Sequence, residues 1–494
     1  MKYLRTLINL GERIRILNYS GLCLLLLMNI ILGCSKDILE EDPKTVAAEL
    51  FYNTPEEVEA AVNASYSPIR SNYAEQIAVL DAHTDWGYGR GSRSDYNDFQ
   101  GFNSGNINIT GGRWNAFYQS IRNANYVIGN AKDGTAITQS EIDLFVGEAK
   151  FIRALNYFIL VRNWGGVPLR TELNMEEIDV SKSAPSAIYD FILEDLEDAE
   201  NKLPEDPRNI GRPTKYAAKS LLADVYLTLG RYGEAASKSL EVIQSNKFSL
   251  VPVTSIEDFQ YNLFGPDLLS STEEIFYFKY THQIGQGNWL LFVLNHPSTG
   301  LFNFGGAYAH YSDATNKFQM NWDDSDLRKG LWDQIDFGLG STTLVSKKYI
   351  DQSAVDNRGA GNDLPVYRYA EILLIYAEAS CKDGGGPTAD GMEALNKVHR
   401  RAYGQVVDSP SSFDFNIEDY DLDSFVDLVL QERAYEFIFE GKRWYDLKRT
   451  GKAAEIILDV KGITIADKHY LWPIPVSELD FNNAMGQEDQ NPGY

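Results

Sequence analysis

Two stretches of this 494-residue chain gather flat rings beside short polar side chains in glycine-rich sequence. The first, Asp85 to Gly112, reads DWGYGRGSRSDYNDFQGFNSGNINITGG and sets Trp86, Tyr88, Tyr96 and Phe99 beside Asp85, Asn97 and Asp98. The second, Thr281 to Trp322, carries Trp289, Tyr308, Tyr311 and Trp322 among Gly, Asn and Asp. A ring offers an apolar face, and amides and carboxylates offer donors and acceptors. That pairing suits a sugar, whose CH face stacks while its hydroxyls take hydrogen bonds. The candidate ligand-binding residues are therefore Trp86, Tyr88, Tyr96, Trp289, Tyr308, Tyr311 and Trp322. Both stretches have loop composition, and long loops in a compact fold are often functional. The competing reading is a loop that pins its own aromatics to the body.

Catalytic readings are weaker. A glycoside hydrolase needs two carboxylates about 5–9.5 Å apart around a cleft, and no motif among the 70 acidic residues marks such a pair. Glu436 and Glu440 share a helical face, but Arg433 and Arg443 stand near enough to hold both ionised, whereas a general acid needs a raised pKa. Asp323, Asp324 and Asp326 could take a hard cation, but their spacing is not that of an EF-hand loop. Cys381 is a lone thiol in an apolar helix. The expectation is a binding protein, not an enzyme, with no cofactor and no metal.

The elements that must hold these rings read mostly as helix. Thr54-Pro55-Glu56-Glu57 is a helix start, with the helix running to about Tyr73 and a second over Glu75–His83. Further helices are expected over Trp114–Ala131, Ser140–Trp164 and Pro185–Leu203, and a helix hairpin over Leu364–Arg401, turning at Gly384–Gly386 with Met392–Arg401 pairing back. Ile275–Phe278 reads as a short strand inside Phe248–Ser346, a segment without helical periodicity. GRPTKYAAKSLLADVYLTLGRYGEAASKSLEVIQ, from Gly211, alternates small and large apolar residues around Leu229–Tyr232 and resembles a tetratricopeptide unit, which must stack on neighbours to bury its faces. Near the C-terminus, QERAYEFIFEGKRWYDLKRTG (Gln431–Gly451) places bulky aromatics on one face between Arg433/Glu436 and Glu440/Arg443 pairs, with Gly441 ending or bending the first helix. Pro473 and Pro475 predict an extended closing segment.

The chain carries 45 basic and 70 acidic residues, net −25. Such a surface repels nucleic acid. Lys2, Arg5, Arg13 and Arg15 precede apolar Leu22–Leu32, too short to span a membrane but suited to a signal segment. It ends in Ile31-Leu32-Gly33-Cys34, which resembles a lipobox, making Cys34 the lipidated first residue after cleavage.

ERxxEFxFEGxRWYDLKRTG resembles the C-terminal signature of the SusD/RagB family. GEAKFIRALNYFILVRNWGGVP, the Asn321–Arg328 segment, Tyr470–Pro475 and the closing Gln490–Tyr494 also match that family's pattern, in order. The resemblance implies a mostly α fold: a tetratricopeptide-like helix-pair scaffold with an inserted irregular, loop-rich, ligand-facing subdomain. The expected organisation is a lipoprotein signal peptide at 1–33, a helical region at 34–247, the irregular subdomain at 248–346 and a C-terminal helical region at 347–494. It also implies an outer-membrane, lipid-anchored glycan-binding protein that serves as the capturing lid of a SusC-like TonB-dependent transporter. The alternative is a peptide- or protein-capturing lid of the same transporter class.

Overall fold

In the computed structural model, residues 51–99, 107–294, 310–354 and 359–494 are described. Cys34 and Tyr308 lie outside them. Helix α1 (Pro55–Ala82) opens on a capping box, in which Thr54 Oγ1 accepts from the Glu57 N–H and Glu57 Oε2 accepts from the Thr54 N–H at 2.9 Å. The expected stop near Tyr73 and the separate helix over Glu75–His83 do not occur: α1 runs unbroken to Ala82, with Pro68 inside it. Pro68 has no N–H for the Ala64 carbonyl. Asn123 of α2 (Ile107–Asn130) takes that place, donating to Ala64 O at 2.8 Å, and Ser120 donates to Ser65 O at 2.6 Å.

Helix α3 (Gln139–Trp164) starts at a second capping box, Thr138 with Glu141, and is buried on almost every side from Phe145 to Trp164. Both flanks are covered, because α2 packs on one and α4 (Pro185–Lys202) on another. Helices α5 (Lys215–Thr228) and α6 (Tyr232–Gln244) follow, then α7 (Tyr369–Gly384), α8 (Ala389–Ala402), α9 (Leu422–Glu436), α10 (Arg443–Arg449), α11 (Ala453–Lys461) and α12 (Val476–Phe481). From α1 to α8 each helix packs on the next, and α9 packs on α7. Successive elements thereby bury the faces that no single pair can cover.

Strands are short: β1 (Tyr88–Gly89), β2 (Val167–Pro168), β3 (Lys182–Ser183), β4 (Glu274–Phe278), β5 (His310–Asp313), β6 (Trp332–Gln334), β7 (Thr343–Ser346) and β8 (Leu364–Arg368). One antiparallel sheet has the order β1-β5-β7-β6, β2 pairs with β3, and β4 pairs with β8. Leu364–Arg368 was expected to open a helix, yet all five residues are buried against β4, and α7 begins only at Tyr369. Long-range pairing overrides a local pattern that suits either state. Because β5 joins β1 and β4 joins β8, the irregular stretch is woven into both helical regions, and Tyr52–Tyr494 form one compact unit.

Helix α9 ends at Glu436, before the expected break at Gly441. Phe439 (φ +55°) and Gly441 (φ +71°) then turn the chain into α10. Gly441 also lies against Ile77 and Leu80 of α1, so its left-handed backbone and its close approach both favour glycine. The expected i,i+3 ion pairs are replaced by distant ones. Arg433 binds Asp446 at 2.8 Å, and Glu436 binds Arg328 (3.0 Å), Arg368 (2.6 Å) and Arg401. Glu440 binds Lys348 and Arg368, and Arg443 binds Asp85. All are nearly inaccessible to solvent. Burial alone would raise the Glu436 carboxyl, but Arg401, Arg368 and Arg328 outweigh it and hold the group well below the usual carboxylate range. The closing segment is extended as expected: Trp472 donates its backbone N–H to Asn163 O at 2.7 Å, and Trp164 donates its indole N–H to Pro473 O at 2.9 Å.

Candidate functional site

The glycines of Trp86-Gly87-Tyr88-Gly89 are what let this segment leave α1 so tightly. A Cβ on Gly87 would lie 2.0 Å from the Asp81 carbonyl oxygen, so no side chain fits there. Asp85, just before it, is buried and receives both Nε (3.1 Å) and Nη2 (2.7 Å) of Arg443. The turn is therefore clamped to α10, and it delivers Tyr88 into β1 opposite Tyr311 of β5. The two rings stack with centroids 5.5 Å apart and an interplanar angle of 23°, each half-buried.

Polar groups ring this pair. Asn316 caps a short helix by accepting from the Phe318 N–H at 2.8 Å, and its Nδ2 donates to the Tyr88 hydroxyl and to Asp85 O, both at 2.9 Å. Lys461, at the end of α11, places its ammonium 4.5 Å from the Tyr88 ring centroid and donates to Gly87 O at 2.6 Å. Burial pushes that ammonium down to about 7, against the opposing pull of Asp85 and Asp98. Asp98 is exposed beside Asn97, which donates to it at 2.7 Å, and Asp313 is half-buried on β5. Burial raises both the Tyr88 and Tyr311 hydroxyls, so both are neutral donors near pH ~7. Trp289 is half-buried, and the Arg93 guanidinium lies 5.5 Å from its ring centroid. Arg93 also packs against Gly89, which places Trp289 on the flank of the same turn.

Three expected ligand rings are interior instead. Trp86 is fully buried, edge-on to Phe439 at 4.9 Å and to Trp332 at 5.8 Å. Tyr96 is buried and stacked on His83 at 5.7 Å. Trp322 is buried and stacked on Tyr435 at 4.2 Å, with its indole N–H donated to Asp326 at 2.9 Å. For these three the pinning alternative is the correct one, because a ring in the core offers no face to a ligand. Asp326 also binds Arg328 inside the buried ion network, Asp324 pairs with Lys329, and Asp323 accepts from Tyr403. Among the described residues no group of three or more His, Cys, Asp or Glu side chains is arranged to hold a metal ion.

Two residues at the Tyr88–Tyr311 pair escaped the sequence reading. Asn316 carries a visible signal, an Asn ahead of Lys-Phe-Gln-Met that can cap a helix. Lys461 carries none, since only the tertiary fold brings it to Tyr88.

A family model described as the SusD family matches residues 298–494, and one described as "Starch-binding associating with outer membrane" matches 41–227. The chain belongs to the SusD/RagB family. SusD-like protein P2 of Formosa agariphila is 28% identical, covering 95% of this chain and 98% of that one. A solved SusD superfamily protein from Parabacteroides distasonis superposes with a TM-score of 0.73 at 25% identity, over 91% of this chain and all of its own. A laminarin-binding SusD-like protein shares the fold at a TM-score of 0.70 and 24% identity, over 90% of this chain and all of its own. The mostly helical architecture with few strands is thus that of the SusD family.

Proposed function

We propose that this chain is an outer-membrane glycan-binding protein that captures saccharide through the Tyr88–Tyr311 pair and passes it to a SusC-like TonB-dependent transporter. The observation that carries the reading is the pair itself. Two stacked, half-exposed rings, the Tyr88 hydroxyl held in place by the buried Asn316, lie beside the Lys461 ammonium and the Asp98 and Asp313 carboxylates, a grouping that suits the CH face and the hydroxyls of a sugar. The starch-binding, outer-membrane description of the matching family model and the laminarin-binding relative support the same reading. Cys34 would supply the lipid anchor: acyl chains contribute about 0.8 kcal/mol per buried CH₂, enough with several chains to hold a protein to a membrane without a spanning helix.

Calorimetric titration with neutral malto-, laminari- and xylo-oligosaccharides tests this. Tyr88→Ala and Tyr311→Ala should each weaken the best ligand by about 1–3 kcal/mol, and Trp289→Ala should weaken it if the ligand extends along the Arg93 flank. If both tyrosine variants bind every ligand as the parent does, the site is misplaced. Shortening of labelled polysaccharide chains by the pure protein would instead establish a hydrolase.

A further inference from the structure

One surface of the molecule holds binding chemistry that the Tyr88–Tyr311 site does not use. On α2, Asn115, Gln119, Arg122 and Tyr126 recur at steps of four, three and four residues, so they form one helical stripe, and all four are exposed. Among the described residues none of these four side chains makes a hydrogen bond or ion pair within the chain. The contrast with the other cations is sharp: besides Lys132, Arg122 is the one Lys or Arg among the described residues that engages no carboxylate, carbonyl, amide or ring. In a chain of net charge −25, a bare guanidinium is conspicuous.

The stripe opens on a pocket of about 470 Å³, inside the ~300–1,000 Å³ typical of small-molecule sites. Trp114 and Tyr118, from the adjoining face of α2, form part of its wall, and Tyr118 is fixed by its hydroxyl donating to Pro168 O at 2.7 Å. Arg170 also lines the pocket, its guanidinium donating to Glu177 O (2.9 Å) and Ile178 O (2.8 Å). Glu478 is the carboxylate in the wall, and its two oxygens accept from Trp114 Nε1 at 3.3 Å and Asn482 Nδ2 at 2.9 Å. The pocket therefore offers rings, unengaged amides and two guanidinium groups against one occupied carboxylate. The chain's overall negative charge does not oppose an anion here, because exposed charges more than about 8 Å away are largely screened at physiological salt.

We propose that this pocket is a second saccharide subsite, selective for sugar units that carry a carboxylate or a sulfate ester. Tyr126 supplies the stacking face, Asn115 and Gln119 bind hydroxyls, and Arg122 takes the anionic group in a charge-assisted, two-pronged hydrogen bond. It shares no residue with the Tyr88–Tyr311 site, though it rests on the reading of the protein as a glycan binder.

The test is calorimetric titration of the lipid-free chain from residue 35 with oligogalacturonate (carboxylate), sulfated carrageenan oligosaccharides (sulfate ester) and neutral malto-oligosaccharides. Arg122→Ala should weaken binding of at least one anionic probe by about tenfold or more and leave the neutral probe unchanged. Arg122→Lys should restore part of the loss, and added salt should weaken the parent towards the anionic probe alone. Which anionic probe responds identifies the acidic group. The proposal is overturned if Arg122→Ala binds both anionic probes as the parent does, or if their binding is lost in Tyr311→Ala but kept in Arg122→Ala. It also falls if no anionic probe binds while the neutral probe binds and is lost in Tyr311→Ala, an outcome that leaves the first site standing. If no saccharide of any kind binds, both readings fall together.

Discussion

The Asp85–Arg443 pair ties the family's C-terminal motif to the turn that presents Tyr88, so breaking it tests the whole chain of reasoning. Asp85 is 2% exposed and Arg443 4% exposed, and two hydrogen bonds of 2.7 and 3.1 Å join them. Arg443→Met keeps the length of the side chain and removes the charge, leaving a buried carboxylate with Lys461 as the nearby cation acting on it across a longer gap. Removing one partner of a buried pair costs about 3–5 kcal/mol, a large part of the ~5–15 kcal/mol that holds a typical fold. Asp85→Asn should cost a similar amount, because it strands the guanidinium. The double variant should be less destabilised than the sum, with a coupling of about 2–4 kcal/mol, since neither group is then left charged and alone. Urea unfolding followed by tryptophan fluorescence measures all three, with Arg443→Lys as a milder variant should Arg443→Met fail to fold. Glycan titration of the folded variants should show weaker binding, because the turn at Gly87 loses its clamp. A coupling under about 0.5 kcal/mol, or full glycan affinity in folded Arg443→Met, would refute the argument that this pair positions the site.

Other expectations follow from the same structure. Tyr96→Ala and Trp322→Ala should each cost about 3–5 kcal/mol in urea unfolding, because both rings fill the core. If either is instead near neutral for stability yet loses ligand, that ring faces the ligand after all. Gly87→Ala should destabilise the protein and lower glycan affinity together, as its Cβ meets the Asp81 carbonyl at 2.0 Å. A stable Gly87→Ala protein with parental affinity would mean the turn relaxes freely. Burial lowers His83 to about 4 in the folded chain, with Lys461, Lys448 and His469 adding to the effect, whereas the unfolded imidazole titrates near ~6.5. The unfolded state then binds more protons between these values, so the His83 contribution is present above pH ~6.5 and is lost as pH falls towards 4. The stability gap between parent and His83→Gln should shrink over that window, and a gap that widens on acidification contradicts it. Cys34→Ala should move the protein from the membrane fraction to the soluble one, and retention in the membrane would exclude the lipid anchor.

Much of the scaffold was legible along the chain because its signals are local. The Thr54–Glu57 box, Pro185 at the first turn of α4, the break at Leu229–Tyr232 and the prolines at 473 and 475 each act through neighbours a few residues away. Family membership was legible for the same reason, since FEGKRWYDLKR is a contiguous string. What the string does was not: its charges bind Arg328, Lys348, Arg368, Arg401 and Asp85, all remote in sequence, while the apparent i,i+3 partners ignore each other. Leu364–Arg368 failed as a helix because β4, some 90 residues earlier, pairs with it.

The rings mark the boundary between the two kinds of information. Composition alone determined that aromatics, amides and glycines cluster in two segments, because residue type sets what a side chain is able to bind. Only the tertiary structure decided that Tyr88 and Tyr311 meet with their edges open while Trp86, Tyr96 and Trp322 turn inward. An indole or a phenol ring is as suited to packing in a core as to stacking on a sugar, so its role depends on whether the rest of the chain leaves one of its faces uncovered.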